Sequence, residues 1–408
     1  MIEADGRAVH KLRSGDVLQF AEASLEYEYL AKPGVTAPRA AEFFAGIGLV
    51  RMGLEQAGFE VVFANDIDKD KLHLYEANFG PLHIVPGDIR GLNGADIPDV
   101  EVATASFPCT DLSLAGNRAG LSGDASGMFW HFVRVLDEMG ARRPAAILIE
   151  NVVGFGSSRS GDDLRVAIEQ LNSLGYWCDI FVADARHFIP QSRPRMFLVG
   201  SQAPVGEPGN WQPSQLRPAW ISRFVSRNPD LMLHATPLSL PDRNTGTLSD
   251  VVERLPPDHP RWWTPDRLER FLSSLSPIQA RRLELRQSAR SVSWATAYRR
   301  TRHSKPVWEI RADAISGCLR TARGGSSKQA LVETGRGDTR VRWMTPREYA
   351  RLQGAGSLEL DSVSENKALF ALGDAVCVPV IGWIAENCLM PLVEQRRTAQ
   401  SEQVRSFA

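Results

Sequence analysis

The chain has few cysteines, no zinc-ligand spacing and no long apolar run, and each lack excludes a class of protein. The five cysteines, Cys109, Cys178, Cys318, Cys377 and Cys388, are odd in number and widely separated, with no C-x-x-C and no histidine pair at ligand spacing. That pattern indicates neither a disulfide framework nor a zinc site, so no metal is expected and the thiols are read as reduced. No segment approaches the roughly eighteen consecutive apolar residues of a membrane span. The first residues, with Glu3, Asp5, Arg7 and Lys11, lack the apolar core of a signal peptide. A cytoplasmic protein with no membrane contact is expected. The 408 residues, 43% hydrophobic and 23% charged, are enough for two domains with a sizeable core.

A formal net charge of −1 hides an uneven distribution. Residues 201–335 carry 20 Lys and Arg against 12 Asp and Glu, and within them residues 281–328 carry 12 against 3. A solvated surface is the plain reading of such a run. The company of Trp294, Tyr298 and Trp308 favours instead a footprint for a phosphate backbone. This stretch is rich in Pro and Arg, holds six of the ten tryptophans, and shows no sustained alternation of strand and helix.

Before it the alternation is regular. Residues 1–37 carry little signal and read as a leader ending in the Pro33, Gly34 and Pro38 stretch. Ala40 to Ala45 reads as a strand entering a glycine turn at Gly46 and Gly48, followed by a helix ended by Gly58. Val61 to Ala64 is a second buried strand, ending at Asn65-Asp66. An acid about twenty residues past the glycines is placed to bind ribose hydroxyls, although a plain tight turn explains the glycines alone. The next glycine, Gly53, does not fit G-x-G-x-x-G, which argues against a nicotinamide dinucleotide. Asp88 stands at another strand end, readable as a polar contact or as a turn aspartate.

The thiol that organises the rest is Cys109, in Ser106-Phe107-Pro108-Cys109-Thr110, on the loop leaving an apolar strand at Val100 to Ala105. A free cysteine is most often a small buried hydrophobe, but the carboxyl edge of an open α/β sheet is where ligands bind. Leu112 to Gly127, rich in Gly and Ser, reads as a lid. The strand Ala145 to Asn151 ends in Glu150, either a general acid in the same crevice or a helix-capping group. Helices are expected at 69–78, 129–139 and 164–174, and strands at 176–182 and 196–200. Gln191-Ser192-Arg193-Pro194-Arg195 offers a guanidinium for planar recognition of an oxygen. Helices are also expected at 345–353, 365–372 and 378–392.

Six motifs, in this order and spacing, resemble those of the bacterial-type DNA (cytosine-5)-methyltransferase family: Phe44-Ala45-Gly46-Ile47-Gly48, Phe107-Pro108-Cys109, Glu150-Asn151-Val152, the Gln191 to Arg195 run, Thr345-Pro346-Arg347-Glu348 with Arg351-Leu352-Gln353-Gly354, and Gly373-Asp374-Ala375-Val376. The resemblance implies an α/β fold, a Rossmann-like S-adenosylmethionine-dependent methyltransferase sheet with a smaller, irregular target-recognition domain. The expected division is a leader at 1–37, a catalytic domain at 38–200, target recognition at 201–335, catalytic-domain helices at 336–395 and a tail at 396–408.

The resemblance also implies the chemistry. Cytosine C5 is a poor nucleophile until a thiolate, here Cys109, adds to C6. Glu150 then donates to the N3 edge, Arg195 holds O2, and Arg193, grouped with these catalytic residues, braces the loop. C5 takes the sulfonium methyl of S-adenosylmethionine, after which the C5 proton and Cys109 leave. The cofactor is expected against Phe44, Gly46, Gly48, Ile67 and Phe107, with Asp66 on the ribose, Asp88 and Ile89 near the adenine, and Asp374, Ala375 and Val376 closing the site. A base in a duplex must be flipped out to meet this geometry.

The expected partner is double-stranded DNA and the expected state a monomer. The resemblance suggests restriction-modification or phage defence, with room for partner proteins of a defence system. An RNA substrate and a non-catalytic DNA-binding homologue are the competing readings. Two positions depart from the family: Thr110 where Gln is common, and Asp374 where Asn is usual. A carboxylate at 374 is unfavourable beside the cofactor's own carboxylate unless it is turned away.

Overall fold

The computed structural model describes residues 36–108, 127–203, 209–242, 246–302, 305–320 and 328–406. Cys109, Thr110 and all of the expected lid except Gly127 lie outside the described residues, as do residues 1–35 of the expected leader.

The first unit is built on strands β1 (Arg39–Phe43), β2 (Glu60–Asp66), β3 (Ile84–Pro86), β4 (Val102–Ala105), β5 (Ala146–Val152), β6 (Trp177–Asp184) and β7 (Pro194–Ser201). They form one sheet in the order β3-β2-β1-β4-β5-β7-β6, parallel except that β7 runs against both its neighbours. Helices α1 (Leu49–Gln56), α2 (Lys69–Phe79), α3 (Met128–Glu138) and α4 (Asp162–Ser173) connect them. The middles of the strands are mostly apolar because both faces are covered, and the charged residues gather toward their ends. Ala40, Val102 and Leu148 enter one buried cluster, while Ala41, Ala103 and Ile149 enter the other, as the two-residue period of a strand requires.

The chain runs from β1 outward to β2 and β3, then returns across β1 to β4. That reversal opens a crevice beyond the carboxyl ends of β1 and β4, the place where such sheets bind ligands. The register aligns Phe43 with Ala105, and Ala105 with Ile149. Phe44, Ser106 and Glu150 are therefore the first residues past one common row.

The second unit is a four-stranded antiparallel sheet, β11-β10-β8-β9, made from β8 (Ser293–Arg302), β9 (Lys305–Ile310), β10 (Ala330–Gly335) and β11 (Asp338–Trp343). Beneath it lie α6 (Pro265–Ser273) and α7 (Pro277–Gln287), around Trp263, Phe271, Leu283, Trp308 and Trp343. Trp308 therefore helps to build a small core, with rings 5.4 to 5.7 Å from those of Phe271, Trp263 and Trp343. This differs from its expected place among DNA-contacting aromatics. A four-stranded sheet needs bulky side chains to exclude water, and tryptophan supplies most area per residue. The charge excess is also tempered, since Glu309 pairs with both Arg300 and Arg302.

The expected divisions at 200/201 and 335/336 shift. Helix α5 (Ala219–Arg227) and Leu231 and Leu233 belong to the core of the first unit, where Cys178 bridges to Leu233 and Arg217 pairs with Asp179 at 2.8 Å. Leu248, Val251 and Val252 likewise pack with the first sheet. At the other end β11 pairs back onto β10, so the second sheet continues to Trp343. The change of composition at 201 follows the Pro- and polar-rich surface of this segment rather than its few buried anchors.

Helices α8 (Pro346–Arg351), α9 (Glu365–Asp374), α10 (Val378–Ile384) and α11 (Met390–Ser406) return to the first unit. The closing helix expected at 378–392 is interrupted by a wide turn at Ala385–Leu389, just before Pro391, which has no N–H to continue the ladder. It then runs on to Ser406, through the segment expected as a tail. The stretch Glu365–Glu402 is long and apolar enough to cross a membrane, yet 78% of its most apolar window is buried in the fold.

Candidate active site

The glycine turn after β1 is held by the end of β2. The Gly46 N–H donates to Asp66 Oδ2 at 2.7 Å, and the Asp68 N–H donates to Asp66 Oδ1 at 2.8 Å. Phe44, Gly46 and Gly48 all have positive φ, at 57°, 59° and 80°. Strain at a non-glycine residue such as Phe44 persists where surrounding structure fixes it, commonly at ligand sites. A side chain at Gly48 would strike the Phe79 ring, whereas one at Gly46 would meet nothing within 4 Å. Gly46 therefore faces open space at the mouth of the crevice.

Ile67, next to Asp66, is a large apolar side chain left 63% exposed. Together the open backbone, the fixed carboxylate and the bare apolar surface fit a nucleoside: close approach over Gly46, hydroxyl recognition by Asp66, and a flat apolar face at Ile67. Asp88 is engaged locally, capping the turn at Ile89–Gly91 and pairing with Arg90 at 2.5 Å. The Arg90 hydrogen bonds hold its carboxyl below the usual range. The Ile89 side chain is buried in the core, so only its main chain can face a ligand.

On the other side of the crevice Glu150 Oε1 and Arg195 Nε form an ion pair at 2.9 Å, both side chains retaining slight exposure. Arg195 follows from strand pairing, since β7 sets it opposite Val152 on β5. Phe107 is buried against Phe129 and Phe155, and its carbonyl accepts from Asn151 Nδ2 at 3.2 Å. That bond ties the loop leading to Cys109 to the strand carrying Glu150.

Residues 39–390 match the family profile of the C-5 cytosine-specific DNA methylases. The chain belongs to that family. Among similar proteins, the type II methyltransferase M.Bsp6I of Bacillus sp. (strain RFL6) is 30% identical over 352 residues, covering 85% of this chain and 97% of that one. The type II methyltransferase M.BsuFI of Bacillus subtilis is 37% identical over 166 residues, 40% of this chain and 39% of that one. A similar solved structure is the S. pombe Dnmt2 methyltransferase, with a TM-score of 0.57, 20% identity, and coverage of 87% of this chain and 99% of that one. That likeness establishes the fold, as expected, and the family makes the protein a DNA (cytosine-5)-methyltransferase.

Within this methyltransferase Arg193 is buried and bonded to main chain. Its buried guanidinium donates to the carbonyls of Leu319 at 2.9 Å and Ala375 at 2.5 Å. It thereby holds the Gly373-Asp374-Ala375-Val376 segment against the strand bearing Arg195. Its hydrogen bonds to main chain set it apart from Glu150 and Arg195, which pair with each other. Three other groups escaped the sequence reading. Gln191 donates to the Leu352 carbonyl and accepts from the Leu319 N–H at 3.1 Å, and Gln353 donates to the carbonyls of Leu372 and Ala375. Both lie in quoted motifs, where buried amides joining separate segments are a usable signal. Cys318 had no signal, being one thiol outside any motif. Its Sγ lies 3.5 Å from Arg193 Nη1 and 3.9 Å from both terminal nitrogens of Arg195. Burial pushes this thiol up, but the two guanidinium groups outweigh burial and leave it below the usual thiol range.

Glu42, two residues before Phe44, is 1% exposed, and neither carboxyl oxygen has a hydrogen-bond partner. Burial raises its pKa from 4.5 to about 8, against the opposing pull of Arg51. Between those values the folded chain holds a proton that the unfolded chain has released, so this group's contribution to stability falls as pH rises from 4.5 to about 8. The expected slope is at most about 1.4 kcal/mol per pH unit. Glu42→Gln should remove that increment from the pH dependence of denaturant unfolding between pH 5 and 8. An identical slope in the variant would show that Glu42 is ionised in the fold.

Proposed function

We propose that this enzyme transfers a methyl group from S-adenosylmethionine to C5 of cytosine within a short sequence of double-stranded DNA. The observation that carries the reading is the Glu150–Arg195 pair one residue past the row that also leads to Phe44 and to the Cys109 loop. Phe44, Gly46, Gly48, Asp66 and Ile67 would hold the nucleoside part of the cofactor, with Phe107, Asp374, Ala375 and Val376 closing its other end. The bound cofactor supplies an electrophilic methyl group on its sulfonium.

The chain's own residues do the rest. The Cys109 thiolate adds to C6, and the electron pair displaced from the C5–C6 double bond passes into the ring. Glu150 would donate to the N3 edge and Arg195 to O2, so the ring accepts that charge without becoming an isolated anion in the crevice. After C5 is methylated its proton passes to solvent water, the C–H electron pair re-forms the C5–C6 double bond, and Cys109 is expelled as the thiolate. Attack on C6 comes from above the ring, so the base must leave its stack, at a cost of about a few kcal/mol. The four-stranded sheet and the basic residues 281–328 are proposed to offset that cost and to read the sequence.

The similarity to type II methyltransferases supports a role in restriction-modification, carried out in the cytoplasm by a monomer with or without partner proteins of a defence system. The decisive experiment is transfer of labelled methyl from S-adenosylmethionine to unmethylated genomic DNA, followed by bisulfite sequencing, with total RNA as a parallel substrate. Methylcytosine confined to one short DNA motif is the expected result. Transfer to RNA alone would replace the DNA assignment, and no transfer despite cofactor binding would favour a non-catalytic homologue.

A further inference from the structure

Asp374 stands where the family usually has Asn, and beside a cofactor carboxylate an unaccompanied Asp would repel. It is accompanied. Lys71, on the first turn of α2, places Nζ 2.8 Å from Asp374 Oδ2. Burial alone would lower the Lys71 ammonium, but Asp374, Asp66 and Asp68 together hold it above the usual lysine range. Both neighbours are fixed. Asp66 is anchored by the N–H groups of Gly46 and Asp68, and the Asp374 segment by Arg193 and Gln353 on the Ala375 carbonyl. Lys71 is thus paired with one anchored carboxylate, Asp374, and held by the field of a second, Asp66, which anchors the glycine turn of the crevice. The amino-acid end of S-adenosylmethionine is a zwitterion, carrying a carboxylate and an ammonium, and is complementary to a lysine and an aspartate side by side.

We propose that Lys71 positions the cofactor by receiving its carboxylate, with Asp374 taking the neighbouring ammonium. The assignment rests on S-adenosylmethionine being the cofactor and adds a residue to its site. It makes Asp374 and Lys71 a compensated pair: neither replaces Asn alone, and the two together do.

A second ion pair across the same helices provides the control. Lys367 of α9 meets Asp70 of α2 at 2.8 Å, with both side chains largely exposed. It ties the same elements together without pairing with Asp374. Calorimetric titration should be made with S-adenosylmethionine, S-adenosylhomocysteine and the decarboxylated form of S-adenosylmethionine, against the full chain and its Lys71→Ala, Asp374→Asn, Lys71→Ala/Asp374→Asn and Lys367→Ala variants.

Lys71→Ala leaves Asp374 facing the ligand carboxylate, so affinity for the two carboxylate-bearing ligands should fall about 10- to 100-fold. Affinity for the decarboxylated ligand should be retained. Asp374→Asn removes the attraction for the ammonium and the repulsion of the carboxylate together, so its affinity for the carboxylate ligands should stay within about a few fold of the parent, and the double variant should recover most of the loss seen with Lys71→Ala. Lys367→Ala should change none of them, which separates ligand contact from clasping of the helices. Equal weakening of all three ligands in Lys71→Ala, or no weakening while the parent binds, would overturn the assignment. If the parent chain binds no S-adenosylmethionine, the cofactor reading itself fails and this assignment with it.

Discussion

Cys109→Ser should lower methyl transfer by on the order of 10⁴-fold or more while leaving affinity for cofactor and DNA within a few fold. Serine is isosteric enough to keep the loop, but at neutral pH its hydroxyl is almost wholly protonated, so it cannot add to C6 as a thiolate does. The loss should fall on kcat, because the binding contacts proposed for Phe44, Gly46, Asp66 and the basic sheet do not involve this atom. Single-turnover methylation with saturating DNA, beside filter binding of the same duplex, separates the two quantities. Residual transfer within tenfold of the parent would rule out covalent addition by Cys109. The approach to residue 109 is anchored as far as Phe107: Asn151 holds the Phe107 carbonyl, Phe107 is packed between two phenylalanines, and both Asn151 and Glu150 are on β5.

Glu348→Ala should destabilise the protein by about 3–5 kcal/mol, read as a lower midpoint in urea. Glu348 and Arg342 have no exposed side-chain surface at all, and their two hydrogen bonds measure 2.8 and 2.5 Å. The same carboxylate accepts from the Thr345 N–H at 2.9 Å and the Glu253 N–H at 2.8 Å, while Arg342 also donates to the Glu253 carbonyl. One ion pair therefore joins the second sheet at β11, the return to the first unit at α8, and the chain leaving the first core near Val252. Removing the carboxylate strands a guanidinium away from water and leaves several donors unpaired. Replacing both partners, as Arg342→Met/Glu348→Leu, should cost less than removing Glu348 alone, since no charge is then left buried. A single variant that loses less than about 1 kcal/mol would show that water reaches Arg342.

Much of the first unit could be read without coordinates, for a physical reason. Parallel strands covered on both faces must be short apolar runs, and glycines and acids at their carboxyl ends stand out against them. That is why Val102–Ala105, Ala146–Val152, the Gly46 turn and Asp66 lie where local sequence places them. Arg193 and Arg195 were recognisable as a pair two residues apart, but their partners differ: Arg195 meets Glu150, and Arg193 meets main-chain carbonyls. Arg193 lies just before β7 begins at Pro194, and strand alternation would set the two on one face, so only the packed neighbours decide the difference.

What the sequence determined by itself is the family and the succession of strands and helices that build the first sheet, because these depend on residue type and local spacing. What tertiary structure decided are encounters between residues far apart in the chain, which no local pattern encodes. Lys71 reaches Asp374, Gln191 reaches Leu352 and Leu319, Arg342 reaches Glu253, and Cys318 comes to lie between two arginines more than a hundred residues before it. The aromatic residues of the middle segment make the same point. Their number suggested a nucleic-acid surface, but a small four-stranded sheet first needs a core, and burial of apolar area claims Trp263, Trp308 and Trp343 for it.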